Sequence, residues 1–360
     1  MKFIGFTSAA VLCLSTLSIA SPIASPESSD ISSASRDSNG CREPIVRKEW
    51  RSLTKNEKKK YLAAVQCLAK KKSINAVPGA DSIYDDFQGV HSSQTPNIHF
   101  VGHFLPWHRY FVSAYEKALR EECGWTGGQP YWDWLIDSQS GINMTSWSIF
   151  DPKTGFGGNG PFVEIDESLN FLGIDGRTGG GCVQDGPFTF DKFKLSLGPS
   201  HDVNVSNPHC LTRDFAEPIA LTNLVPEVIE EMMSKTTYGA FARRTEGEPS
   251  FDVKNVHGGG HFGVGGVLGA IGDAYNSPGD PLFYLHHANL DRIWWQWQQK
   301  DPKRRYKDVS GPIVPFDYTN LSGGNVTLDF TINLGKLGKS VPLSEVVNPE
   351  SGTMCFKYDC

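Results

Sequence analysis

Beyond residue 20 the chain has no apolar run long enough to cross a bilayer, which excludes a membrane-spanning helix there. It has no excess of positive charge. Lys and Arg number 34 against 40 Asp and Glu, a net charge of -6, which argues against a nucleic-acid partner. The one dense basic run, Lys58-Lys59-Lys60 with Lys70-Lys71-Lys72, is expected to be the solvated face and end of a helix. Glycine-rich runs at 155–160 and 179–181 lack phosphate-loop spacing and are expected to be surface loops. No internal repeat is visible. No carboxylate lies between His257 and His261, so the helical zinc-protease pattern, with Glu beside its first His as general base, is missing.

What is present begins with a targeting signal. Lys2 precedes an apolar run from Phe3 to Ala20, and Ser18-Ile19-Ala20 offers small residues for cleavage. We expect a secretory signal peptide at 1–20, a flexible or processed leader at 21–40 rich in Ser, Pro and Asp, and one domain over 41–360 that includes a short C-terminal tail. Secretion permits disulfides. Of the 8 cysteines, Cys13 leaves with the signal. Among the rest we expect Cys182 to pair with Cys210, and Cys41 and Cys67 to pair with Cys355 and Cys360. Sequons at Asn143, Asn204, Asn320 and Asn325 suit a secreted glycoprotein.

The pattern is mainly α. Thr54-Lys55-Asn56-Glu57 is a capping box, and a helix is expected from there to about Lys70. Asp81 opens a second helical stretch leading to His91, and Pro96 marks a loop. Pro106 suits the first turn of a third helix, which Gly124 ends near Glu122. Residues 222–235 read as a helix, and Asp280-Pro281 starts another that runs to about Gln299. Pro130-Tyr131-Trp132-Asp133-Trp134 reads as core packing. Beyond residue 325, Val326, Leu328, Phe330, Ile332 and Leu334 alternate with polar residues, which predicts a half-buried strand.

The histidines carry the chemistry. Of 10 in the chain, His91, His99, His103 and His108 form one group, and His257, His261, His286 and His287 another. Imidazole nitrogen suits copper, zinc, iron and nickel. Nine residues on one helix would put His99 and His108 on opposite faces, at about 100° per residue. His99 is therefore expected on the loop before Pro106, His108 on the helix and His91 at the end of the preceding helix, converging on one ion. His103 is the spare, packed nearby. His257 and His261 share a face if their glycine-rich segment is helical. His286 and His287 point about 100° apart. The stripe Phe283, His287, Leu290, Trp294 should be buried, which favours His287 as the ligand. Two all-histidine sites without a carboxylate suit a copper pair better than hydrolytic zinc.

The run from His99 through Phe104-Leu105-Pro106-Trp107-His108-Arg109 resembles the copper A signature of type-3 copper proteins. Asp280-Pro281-Leu282-Phe283-Tyr284-Leu285-His286-His287-Ala288-Asn289-Leu290-Asp291-Arg292 resembles their copper B signature. From about Cys41 to Trp297 the chain is similar to short secreted fungal tyrosinases and catechol oxidases (polyphenol oxidases). The resemblance implies a four-helix bundle holding a dinuclear copper centre, with long loops and a small β-containing tail. It implies that His91, His99 and His108 hold copper A, that His257, His261 and His287 hold copper B, and that Phe283 packs on the latter. Asp291 would steady that part of the site or pair with Arg292. The implied reaction is oxidation of o-diphenols to o-quinones by dioxygen, which is reduced to water; tyrosinases also hydroxylate monophenols.

Departures shape the expectation. Asn97 stands where many fungal relatives carry a thioether-bonded Cys. Gly258 follows His257, where relatives that hydroxylate phenols well often have an Asn that, with an upstream Glu, holds a water. Glu248 or Asp252 could supply that carboxylate. Gly258 and Phe262 therefore point to a diphenol or o-aminophenol oxidase with weak monophenol hydroxylation. A full tyrosinase and a haemocyanin-like oxygen binder are the alternatives. With about sixty residues after the copper B helix, the large C-terminal shielding domain of latent relatives is expected to be absent.

Overall fold

The computed structural model describes residues 41–359 except Pro249. The expected signal peptide, the expected leader and Cys360 lie outside the described residues.

α1 (Lys55–Leu68) starts on the capping box: Thr54 and Glu57 exchange side-chain and backbone hydrogen bonds. α2 (Ile83–Ile98) starts the same way, but on Ser82 with Asp85 and not on Asp81. α2 then runs on through Pro96, which corrects the expected loop. Side chains hold this last turn. The Thr95 hydroxyl donates to His91 O at 2.8 Å, and the His99 ring pairs with Thr95 O at 3.1 Å. His91 accordingly sits mid-helix and not at a helix end. α3 (Phe104–Cys123) has Pro106 in its first turn and ends on Gly124, whose φ of 67° is a left-handed cap.

A short α4 (Trp134–Ser138) follows the buried Trp132 and begins on the buried Trp134. The single helix expected over 222–235 is two, α5 (Glu217–Asn223) and α6 (Pro226–Ser234). Pro226 disfavours helical geometry in the residue before it, and Val225 is extended at φ -128°, ψ 150°. α7 (Tyr238–Glu246) leads to α8 (Val256–Gly265), and α9 (Leu282–Gln299) leads to the one-turn α10 (Pro302–Arg305).

α2, α3, α8 and α9 form the bundle. The glycines of α8 are what let it fit. A Cβ at Gly260 would sit 2.2 Å from His286 Cε1 on α9, and one at Gly263 would sit 2.8 Å from Ala220 Cβ on α5. Low helix propensity is offset by this close approach and by Asn255, whose side chain accepts from Gly258 N at 2.7 Å.

Strands are few. β1 (Ile45–Arg47) pairs in parallel with β4 (Phe356–Tyr358), and β2 (Thr331–Ile332) pairs antiparallel with β3 (Val341–Pro342). The alternation over 326–334 does set burial, with apolar residues inward and polar ones exposed, but only Thr331 and Ile332 are strand. The glycine runs at 155–160 and 179–181 are not simple surface loops. They pack on each other, and a Cβ at Gly160 would meet Gly181 O at 1.9 Å.

Among the described residues three disulfides are formed: Cys41–Cys355, Cys67–Cys123 and Cys182–Cys210. Cys67 therefore pairs not with the C-terminal pair but with Cys123, because the end of α1 meets the end of α3, with Cα atoms 5.9 Å apart. Among the described residues no helix is long and apolar enough to cross a membrane.

Candidate metal centre

Each histidine reaches the centre from a different local structure. His91 projects from the middle of α2, and His99 is the C-cap residue of the same helix, with extended backbone (φ -121°, ψ 148°). His108 lies in the second turn of α3. His257 and His261, four apart, share a face of α8, and His287 comes from α9. One ring nitrogen each from His91, His99 and His108 lies within 4.8 Å of the others, and the same holds for His257, His261 and His287. The triads face each other: the His108 and His287 rings stack at 4.4 Å, and those of His99 and His257 at 5.8 Å.

Backbone carbonyls fix which nitrogen points inward. Nδ1 of His91 pairs with Tyr275 O at 3.0 Å, that of His99 with Thr95 O at 3.1 Å, that of His108 with Phe104 O at 2.8 Å and that of His261 with Ile271 O at 2.8 Å. Each ring then turns Nε2 toward the centre as a lone pair. Nε2 of His91, His108 and His257 is buried without a hydrogen-bond partner, and Nε2 of His261 and His287 lie 3.1 Å apart. Buried polar atoms are rarely left unpaired. Burial lowers the pKa of all six imidazoles, bringing His99 and His261 to about 4. They are uncharged at neutral pH, the form that ligates a metal. An all-imidazole donor set of this kind fits copper.

The centre is sealed on one side only. His91 is 0%, and His108 and His287 are 2%, exposed. Phe283 packs on His287 at 4.1 Å, and Trp107 meets His108 at 4.9 Å. The other side is open: His257 is 9% and His261 8% exposed, and His99 is half-buried. Gly258 and Phe262, next to His257 and His261, are the part-exposed positions of α8.

His103 and His286 stay outside the triads. His103 is the N-cap residue of α3, and its Nε2 pairs with Asn97 O at 2.8 Å. His286 accepts from Trp134 Nε1 at 3.1 Å on Nδ1, while its Nε2 pairs with His257 O at 3.1 Å. Asp291 pairs with Arg109 at 2.5 Å, whereas Arg292 pairs with Asp133 at 3.0 Å.

The two carboxylates considered beside Gly258 are elsewhere. Glu248 is exposed and pairs with Arg243 at 2.7 Å, and Asp252 is exposed and accepts from Ser250 Oγ at 3.2 Å. The buried carboxylate is Glu246, which the sequence reading missed. It accepts from Phe100 N, next to His99, at 2.6 Å, and burial raises its pKa well above the usual carboxylate range. A signal existed: Tyr238, Phe241, Ala242, Thr245 and Glu246 fall on one helical stripe, and all are buried.

A helical bundle with two facing three-histidine sites is the architecture of a type-3 copper protein, whose family uses a dinuclear copper pair. The comparisons narrow this class. Residues 81–300 match the family model for the common central domain of tyrosinase. The chain is 37% identical over 333 residues to the tyrosinase-like protein phomQ1 of Diaporthe leptostromiformis, covering 89% of this chain and 78% of the relative. It is 38% identical over 323 residues to tyrosinase ustQ of Aspergillus flavus, covering 88% and 80%. A glycine-to-asparagine mutant of polyphenol oxidase from Thermothelomyces thermophila superimposes with a TM-score of 0.75 at 32% identity, covering 88% of both chains. The chain belongs to the tyrosinase family.

Proposed function

We propose that this protein is a secreted, glycosylated copper oxidase of o-diphenols and o-aminophenols, with weak hydroxylation of monophenols. His91, His99 and His108 would hold one copper, and His257, His261 and His287 the other. The copper pair, when bound, supplies the electron transfer from the phenol to dioxygen, which is reduced to water. The observation that carries the oxidase reading is the pair of facing triads with orphaned, buried Nε2 atoms.

The chain's own residues do the rest. Carbonyls of Tyr275, Thr95, Phe104 and Ile271 hold the imidazoles in one tautomer. Phe283, Phe111 and Trp107 exclude water from the sealed side. A phenol ring approaches over His99, His257 and His261. Hydroxylating a monophenol first requires taking its proton. Gly258 has no side chain, and its N–H is already given to Asn255, so it has nothing with which to orient a water. An o-diphenol makes a smaller demand on such a base.

Two measurements test this reading. Metal analysis of the purified protein should find two coppers per chain, and His108→Ala and His261→Ala should each lower that number and abolish oxidation. Oxygen uptake should be fast on catechols and o-aminophenols and slow on tyrosine. Zinc in place of copper, or tyrosine turnover equal to that of catechols, would overturn the corresponding part.

A further inference from the structure

α8 turns one stripe outward, formed by Gly258 and Phe262. These lie on the open side of the centre, beside His257 and His261. Phe262 does not end the apolar surface there. Phe251 meets its ring edge-on, with centroids 5.3 Å apart and planes at 87°. Leu172 and Val267 pack with both rings over buried Ile174, Ala216 and Ile219. Past Leu172 the loop continues outward, with Phe171 85% exposed.

A single exposed phenylalanine asks for no explanation. This surface is different because it is contiguous with the opening of a reaction centre, where an apolar wall meets ligand. Gly258 and Phe262 directly follow two of the histidines, whereas Leu172, Phe251 and Val267 extend the apolar surface beyond them, where something attached to a phenol ring would lie.

We propose that this shelf binds the substituent a phenol carries away from its hydroxyls. The substrate is then a phenol with an apolar tail, in preference to a bare ring. The assignment rests on the phenol-oxidase reading, and its test keeps the two apart.

The copper-loaded protein is assayed on 4-alkylcatechols from methyl to hexyl. Burying a methylene is worth about a fourfold factor at most, so a half-covered shelf gives roughly twofold per methylene in kcat/KM. In Phe251→Ser that dependence flattens, and in Phe171→Ser, a change at an exposed site, it weakens at the long end. Calorimetric titration with 4-alkylresorcinols under argon reads binding alone, because a meta-diol has no direct route to an o-quinone; Kd should tighten along the same series. A flat series in both assays overturns the shelf. If no catechol is oxidised by protein carrying two coppers, the oxidase reading fails, and tail-dependent resorcinol binding would still support the shelf.

Discussion

At the scale of single residues, Gly258 and His103 are opposites, one open and one closed in. Gly258 is an open position: a Cβ there would be 3.0 Å from Asn255 Oδ1 and 3.6 Å from Phe262 Cδ2, close but not blocked. Asparagine is therefore expected to fold at this position and to present an amide toward the opening. Gly258→Asn should raise the ratio of monophenol to diphenol turnover several-fold at equal copper content. An unchanged ratio would remove Gly258 from the account of substrate choice. His103 is closed in, against Phe330 at 4.6 Å, and its Nδ1 is buried without a partner. Burial lowers its pKa from 6.5 to about 4. The unfolded chain binds the proton more readily than the folded one, so stability conferred above pH 6.5 is lost as pH falls toward 4. The loss from this group is at most ~3 kcal/mol, from 1.36 kcal/mol per pKa unit. His103→Gln can still donate to Asn97 O and should flatten the pH dependence of the melting temperature in that window. A variant that melts along the wild-type pH curve would show that His103 does not carry this dependence.

At the scale of elements, what could be read in the sequence was what is local. The capping box of α1 and the Pro106 start of α3 both depend on residues a few positions apart, and both appear in the structure. Pro96 misled because the bonds that hold the last turn of α2 come from the Thr95 hydroxyl and the His99 ring, and neither is part of helix propensity. Glu246 was missed because proximity in sequence drew attention to Glu248 and Asp252, whereas Glu246 is the one buried on the stripe of α7. The glycines of α8 look unfavourable until α9 is in place. Gly260 faces the His286 ring with no room for a methyl group, so Gly260→Ala must push α8 and α9 apart. We expect a loss of about 1–3 kcal/mol in thermal unfolding, typical of overpacking. Copper content should fall with it, since His257, His261 and His287 sit on those two helices. Gly258→Asn serves as the control, because its added atoms point outward. Equal melting temperatures for Gly260→Ala and wild type would show that the helices accommodate the methyl group.

At the scale of the whole molecule, the two halves of the centre are joined through a buried charge network that closes on the chain's ends. Arg109 follows His108, and Asp291 lies one turn after His287. Their side chains meet at 2.5 Å with Arg109 fully buried. Arg109 also donates to Gln298 Oε1 and to the carbonyls of Val346 and Val347 from the tail. The other Asp291 oxygen accepts from Tyr358 on β4 at 2.6 Å, and Arg47 on β1 reaches it at 3.5 Å. The tail is thus part of the frame and no appendage. This was beyond the sequence because β1 and β4 pair across most of the chain's length, with no local pattern to announce it. Replacing the pair by apolar groups could be neutral, but removing one partner leaves a buried charge uncompensated and costs about 3–5 kcal/mol. Asp291→Ala strands the Arg109 guanidinium and frees the Tyr358 hydroxyl at once. It should lower the melting temperature by several degrees, expose the amides of β4 to hydrogen exchange and reduce copper binding, although Asp291 itself is in neither triad. Glu121→Ala, at the exposed Lys117–Glu121 pair, should stay within about 0.5 kcal/mol of wild type. If the two variants melt alike, the network does not brace the centre. If Asp291→Ala melts early but keeps both coppers, it braces the fold without reaching the metal.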